Sequence, residues 1–128
     1  MRKVLLMALM ILTVMTAGCG NDYERLTEEE ALKMMKSDPN VLVLDVRTQA
    51  EYDKKHIPNA VLLPINEIKT GNIAAKLPDK DRKIMTYCWT GRRAEDAADL
   101  LSKAGYRNVY AIGGLVNWSG PLEGSGKE

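Results

Sequence analysis

The chain has 128 residues, which is enough for one domain of ordinary size and too few for two. Apolar residues make up 45% of it and charged residues 27%, a balance that is typical of a globular protein and excludes a wholly disordered chain. The 18 basic and 17 acidic residues give a formal net charge of +1, which argues against a nucleic-acid-binding surface.

Residues 1–18 have the layout of a secretory signal peptide. Arg2 and Lys3 form a short positive region, and residues 4–15 are apolar except for Thr13. This run is shorter than the roughly 20 residues that a membrane-spanning helix needs, so we expect export and cleavage. An uncleaved membrane anchor is the alternative.

The segment Thr16-Ala17-Gly18-Cys19 resembles a bacterial lipobox, in which the cysteine becomes the lipidated first residue of the mature protein. The resemblance implies that a lipid on Cys19 holds the protein at a membrane of the bacterial cell envelope, with residues 19–25 as a tether. Ordinary signal cleavage is the alternative, and it would leave Cys19 as a free thiol or as a disulfide partner of Cys88. If Cys19 is lipidated, Cys88 is left unpaired in an exported protein, which suggests a reactive thiol or thiol exchange with a partner.

The sequence after the tether predicts two short helices on either side of a strand. Two capping boxes, each a threonine three residues before a glutamate, mark the helix starts: Thr27 with Glu30, and Thr48 with Glu51. The second helix is predicted over about Thr48 to Lys55. Between the helices, Val41–Leu44 is a continuous aliphatic run, which favours a strand covered on both faces, as in a parallel sheet.

Strands and helical segments continue to alternate to the end of the domain. Further strands are predicted at Val61–Leu63, Lys83–Tyr87 and Asn108–Tyr110. Residues 66–77 predict one or two helical turns, and residues 92–104 predict the longest helix, with four alanines and a leucine on one face. Gly113 and Gly114 predict a turn, and residues 119–128 predict a flexible tail. This alternation predicts an α/β sandwich with a mainly parallel central sheet.

Cys88 directly follows the predicted strand Lys83–Tyr87 and lies shortly before the longest predicted helix. Ligands collect at the carboxyl ends of parallel strands, and the unpaired N–H groups of a helix N-terminus favour negative charge there. Gly91 lets the backbone curl around an anion, and Arg92 and Arg93 add positive charge. These surroundings stabilise a thiolate, so Cys88 is a candidate nucleophile that needs no adjacent histidine. The alternative is a cysteine that only packs in the core.

The pattern Cys88-x-x-Gly91-x-Arg93 resembles the active-site loop of the rhodanese-domain sulfurtransferases. Further segments that resemble motifs of this family are LDVRT at 44–48 with EY at 51–52, HIPNA at 56–60, and GG at 113–114 with Trp118. The resemblance covers residues 26–118 and implies a rhodanese-like three-layer sandwich. Four residues separate Cys88 from Arg93, whereas related phosphatases have five in that place. The shorter loop therefore favours sulfur transfer over phosphatase or arsenate-reductase-like chemistry.

The resemblance also implies a mechanism with two half-reactions. Cys88 takes the outer sulfur of a donor such as thiosulfate and becomes a persulfide, which loop N–H groups and Arg93 stabilise, and a thiol or cyanide then removes the sulfur. Cys88 and Arg93 are the predicted catalytic residues. The predicted substrate-binding residues are Trp89, Thr90, Gly91 and Arg92, although Arg92 as a solvated surface residue is an equal alternative.

Four other polar residues are predicted to support the structure: Asp45, Arg47, Glu51 and His56. We expect Asp45 to bind loop N–H groups and Arg47 to pair with Glu51. No metal or organic cofactor is expected, and the predicted partners are small sulfur-containing anions or thiols. The alternatives to an enzyme are a rhodanese-fold module that senses sulfur species or binds a partner, and thiol redox exchange with a separate partner.

Overall fold

The computed structural model describes residues 22–71 and 73–126. Its elements are β1 (Glu24–Arg25), α1 (Glu28–Ser37), β2 (Leu42–Asp45), α2 (Gln49–Lys54), β3 (Val61–Leu62), α3 (Ile65–Lys69), β4 (Lys83–Cys88), α4 (Arg92–Lys103), β5 (Asn108–Gly114) and a final 3-10 turn (Leu115–Asn117). All strand pairings are parallel, and the strand order is β1-β5-β4-β2-β3. Within these residues no helix is long and apolar enough to cross a membrane.

Two apolar cores, one on each face of the sheet, make the molecule three layers thick. Successive side chains of a strand point to opposite faces, so β4 sends Ile84 and Cys88 to one face and Met85 and Tyr87 to the other. Helices α3 and α4 cover the first face, and α1 covers the second. The predicted α/β sandwich with a parallel central sheet is therefore confirmed.

Helix α4 lies close to the sheet because its inner face is built from small side chains. Its buried residues are Ala94, Ala97, Ala98 and Leu101. The hydroxyl of Thr86 in β4 is also buried, and it donates a hydrogen bond to the carbonyl of Ala94 at 2.8 Å. A polar group of the sheet thus finds its partner in the helix backbone, which fixes α4 above the end of β4.

The sheet begins earlier in the chain than the sequence predicts. Glu24 and Arg25, which we assigned to the tether, form β1 and pair in parallel with Tyr110 and Ala111 of β5. Their pairing uses backbone groups, so two exposed charged side chains give no apolar pattern that could signal a strand. The predicted signal peptide and the lipid on Cys19 lie outside the described residues and stay predictions.

Residues 123–126, predicted as part of a flexible tail, are bound to the C-terminal end of α2 and to His56, and they form what we call the C-terminal strap. His56 and Glu123 exchange two backbone hydrogen bonds of 2.8 and 2.9 Å. The N–H groups of Ser125 and Gly126 donate to carbonyls of Asp53 and Lys54, which lie in the last turn of α2. Such carbonyls have no partner within the helix, so the strap acts as a C-terminal cap.

Candidate active site

Cys88 is the last residue of β4, and it is fully buried. The backbone N–H of Gly91 donates a hydrogen bond to Cys88 Sγ over 2.9 Å. Gly91 is the N-cap of the twelve-residue helix α4 and has a φ of 110°, which favours glycine. The loop therefore turns the N-terminus of α4, which carries a positive partial charge, towards the sulfur, as the sequence predicts.

Gly113 and Gly114 form the surface on which the Cys88 loop rests. An added Cβ on Gly114 would lie 2.1 Å from the carbonyl oxygen of Trp89, and one on Gly91 would lie 3.3 Å from Gly113 Cα. The pairing of β4 with β5 shifts register here, from Thr86 with Ala111 to Cys88 with Gly114. The two glycines thus end a bulged strand, whereas the sequence predicted only a turn.

Arg93 is held above the loop by Glu51 of α2. Its two terminal nitrogens, Nη1 and Nη2, donate to the two carboxylate oxygens of Glu51 at 2.9 and 3.0 Å. The hydrogen bond from Arg93 is the main cause that lowers the pKa of Glu51 to about 2. The pKa of Arg93 is raised, chiefly by Glu51 and to a smaller extent by Cys88. The arginine therefore stays charged and lies within electrostatic range of Cys88.

The expected pair between Arg47 and Glu51 does not form, because each residue has another partner. Arg47 donates from Nε and Nη2 to the two carboxylate oxygens of Asp45, at 2.9 and 2.7 Å, and both side chains are buried. Tyr87 donates its hydroxyl to the same Asp45 carboxylate at 2.7 Å. Burial and Asp45 raise the pKa of Tyr87 well above its usual value. Asp45 also accepts one loop N–H, that of Arg47, as predicted.

His56 joins α2 to the C-terminal strap. Its ring stacks on Tyr52 with 3.8 Å between the ring centres, and Nδ1 lies 2.7 Å from the Tyr52 carbonyl oxygen. Its Nε2 lies 3.3 Å from the carboxylate of Glu123. These contacts fit the predicted supporting role.

The four predicted substrate-binding residues line two separate depressions. Trp89 is 47% exposed and lines a cavity of about 200 Å³. Thr90, Gly91 and Arg92 line a different, open depression, together with Glu95 and Asp96. Among the residues described, no cluster of histidine, cysteine or acidic side chains is arranged to hold a metal ion.

The role of Glu51 at the site could not be found from sequence spacing, since Glu51 lies 42 positions before Arg93 in the chain. The capping box with Thr48 explains its local role, and the structure confirms both hydrogen bonds of that box. The same carboxylate therefore caps α2 and positions Arg93.

We expect the Glu51–Arg93 pair to weaken only in strong acid. The carboxylate titrates near 4.5 when unperturbed and near 2 in the fold, so its contribution to stability is complete above about pH 4.5 and is lost as the pH falls through 2. The difference in free energy of unfolding between the wild type and Glu51→Gln, measured by urea denaturation, should be constant from about pH 5 to 8. Below about pH 4.5 this difference should shrink, and a difference that grows there would contradict the assignment.

Comparison with known proteins relates the chain to one family of domains. Residues 27–121 match the model of the rhodanese-like domain. Thiosulfate sulfurtransferase PspE of Escherichia coli (strain K12) is 36% identical over 78 residues, covering 61% of this chain and 74% of that protein. Thiosulfate sulfurtransferase GlpE of Coxiella burnetii is 30% identical over 97 residues, covering 75% and 87%. A solved structure of a rhodanese with anions from E. coli has a TM-score of 0.60 at 33% identity, covering 66% of this chain and 99% of that one.

Proposed function

This chain belongs to the rhodanese-like domain family, and on that basis we propose that it is a sulfurtransferase that carries sulfane sulfur as a persulfide on Cys88. The observation that carries the proposal is the hydrogen bond from the Gly91 N–H to Cys88 Sγ at the N-terminus of α4. The relatives named as thiosulfate sulfurtransferases support thiosulfate as the class of donor.

In the first half-reaction, the Cys88 thiolate attacks the outer sulfur of thiosulfate. A bond forms between Sγ and that sulfur, the sulfur–sulfur bond of thiosulfate breaks, and sulfite leaves with the electron pair. The persulfide carries one negative charge on its outer sulfur. The N-terminus of α4 and the guanidinium of Arg93 stabilise that charge, and Glu51 keeps Arg93 in place.

In the second half-reaction, cyanide or a thiolate attacks the outer sulfur. The bond between this sulfur and Sγ breaks, and Cys88 leaves as a thiolate. The Gly91 N–H and the N-terminus of α4 then face the negative charge that returns to Sγ. The same positive surroundings thus serve both steps, and no outside oxidant or reductant is needed.

Intact mass spectrometry tests the proposal directly. After incubation with thiosulfate, the wild type should gain the mass of one sulfur atom, and cyanide should remove it with release of thiocyanate. Cys88→Ser should show no gain, because a serine hydroxyl forms no persulfide. The same exposure of the wild type to several sulfane donors without any gain in mass would overturn the proposal.

A module that senses sulfur without turning over is the second candidate function. The observation that favours it is the complete burial of Cys88, because donors must reach a sulfur that has no exposed surface. Turnover separates the two functions: an enzyme should form thiocyanate through many cycles under excess thiosulfate and cyanide. A sulfur-sensing module should accept one sulfur atom and show no further turnover.

A further inference from the structure

The C-terminal strap binds the helix that carries Glu51, the residue that holds Arg93. This helix, α2, has six residues, and none of them is fully buried. A helix of this length is not stable alone in water, because its few hydrogen bonds do not offset the cost of nucleating it. The position of α2 on the molecule, and with it the position of Glu51, therefore depends on individual contacts with the rest of the chain.

Side chains hold the beginning and the middle of α2. Thr48 and Glu51 form the capping box at its N-terminus. The hydroxyl of Tyr52 donates to the carbonyl of Ala60 at 2.7 Å, and the half-buried ring packs against the core on the face that α1 covers. These contacts leave the last turn of the helix to other partners.

The strap holds most of that last turn through its backbone. Two N–H groups of the strap donate to the carbonyls of Asp53 and Lys54, at 2.8 and 2.9 Å. A third carbonyl, that of Lys55, accepts a hydrogen bond from the guanidinium of Arg47. Two of these three carbonyls therefore depend on the strap for their partner.

Gly124 brings the strap into close contact with the same turn. An added Cβ there would lie 2.5 Å from the carbonyl oxygen of Lys54 and 2.9 Å from that of Asp53. The backbone of Gly124 also has a φ of 142°, a conformation that favours glycine. The close packing of the strap against α2 thus requires glycine at this position.

The strap is joined to α2 a second time, through His56. Glu123 exchanges two backbone hydrogen bonds with His56, and its carboxylate lies 3.3 Å from Nε2 of that ring. The ring stacks on Tyr52, which directly follows Glu51 in the chain. The strap therefore contacts the end of α2 directly and supports the residue next to Glu51 through the histidine ring.

We propose that the C-terminal strap is a positioning segment for sulfur transfer, because it fixes α2 in the place where Glu51 aligns Arg93. This inference rests on the proposed function and adds a remote contact on which the first half-reaction depends. Both terminal nitrogens of Arg93 contact the Glu51 carboxylate, at 2.9 and 3.0 Å, so a shift of α2 disturbs both hydrogen bonds at once. The guanidinium then loses its fixed place near Cys88, and it stabilises the charge of the persulfide less well.

Gly124→Ala in the full chain tests the role of the strap. The new methyl group meets backbone atoms of α2, so the strap has to move away from the last turn. Intact mass with thiosulfate gives the second-order rate constant of persulfide formation. We expect this constant to fall about tenfold, since a misplacement of about 1 Å can cost up to ~100-fold. A chain that ends at Leu122 lacks the strap and should show a fall at least as large.

Each of these two variants has a matched control. Gly71→Ala also places alanine at a positive φ, of 80°, but no atom lies within 4 Å of its Cβ and it is outside the strap. A chain that ends at Gly126 is shortened at the same terminus and keeps the strap. Both controls should form the persulfide at the wild-type rate.

The same changes in a Glu51→Gln background separate positioning from a general loss of stability. Glutamine keeps the capping box of α2 but removes the charge that holds Arg93, so the strap has no ion pair left to align. Gly124→Ala should then cause no further fall in the rate constant beyond that of Glu51→Gln alone. It should still lower the midpoint of urea denaturation, because the cap on α2 is lost in either background.

Three results would contradict the inference. Persulfide formation at the wild-type rate, both in Gly124→Ala and in the chain that ends at Leu122, would overturn it and leave the proposed function intact. An equal fall of the rate constant with Glu51 and with Gln at that position would also overturn it, since the effect would not pass through the ion pair. Failure of the wild type to load any sulfur would overturn the proposed function, and this inference with it.

Discussion

Asp45→Ala is expected to lower the free energy of unfolding by about 3–5 kcal/mol. Asp45 is fully buried and Arg47 keeps only 3% of its side chain exposed, so removing the carboxylate leaves a buried guanidinium without its counter-ion. The hydroxyl of Tyr87 loses its acceptor at the same time. Urea denaturation followed by circular dichroism measures the change.

Two further variants make this prediction decisive. Asp45→Asn keeps an acceptor for Tyr87 and should cost less than Asp45→Ala, and it remains measurable if the alanine variant does not fold. Glu95→Ala breaks the exposed Arg25–Glu95 pair, whose side chains are 64% and 40% exposed, and should cost no more than about 1 kcal/mol. If Asp45→Ala and Glu95→Ala lower the free energy of unfolding equally, the role given to the buried Asp45–Arg47 pair is wrong.

Gly114→Ala is expected to disturb the Cys88 loop and to slow persulfide formation by about 100-fold or more. Its backbone has a φ of −145°, which any residue can adopt, so the effect would come from contact alone. The new Cβ would lie 2.1 Å from the carbonyl oxygen of Trp89 and 2.8 Å from the carbonyl carbon of Thr90. These are backbone atoms, so the loop itself has to move, and we expect a stability loss of about 1–3 kcal/mol or more.

Gly71→Ala is the matched control for this variant. Gly71 has a φ of 80°, so alanine there strains the backbone, but no atom lies within 4 Å of the added Cβ. We expect it to lower stability by about 1–2 kcal/mol and to form the persulfide at the wild-type rate. The rate of mass gain with thiosulfate checks both variants. A normal rate in Gly114→Ala would show that the loop does not depend on this contact.

Local signals in the sequence were sufficient for most of the helices and for the loop. The two capping boxes predicted the starts of α1 and α2, and the structure shows both hydrogen bonds of each box. The face of small residues predicted α4, which begins at Arg92 as expected and ends at Lys103. Cys88 and Gly91 also lie as predicted, because a strand, a glycine and a helix N-terminus follow one another directly in the chain.

The contacts that the sequence could not predict join residues far apart in the chain. Glu51 and Arg93 are 42 residues apart, and neither residue type dictates that partner. The C-terminal strap consists of small and polar residues, which are typical of a frayed end, and it is held by backbone hydrogen bonds to α2. Strand β1 is likewise held by backbone pairing, in its case with β5. Backbone pairing leaves little mark on side-chain composition, so these segments could be assigned only from three-dimensional contacts.

The strand order has a consequence for how the molecule behaves at high concentration. The outer strands of the sheet, β1 and β3, have two residues each, and the longer strands β4 and β5 lie inside. An outer strand offers unpaired backbone groups on which a neighbouring molecule can build a continuous sheet, and this is a common start of aggregation. Outer strands of two residues give such a neighbour very few groups to bind, although Val61 is exposed on one of them. The shortness of its two outer strands therefore protects this sheet against edge-to-edge aggregation.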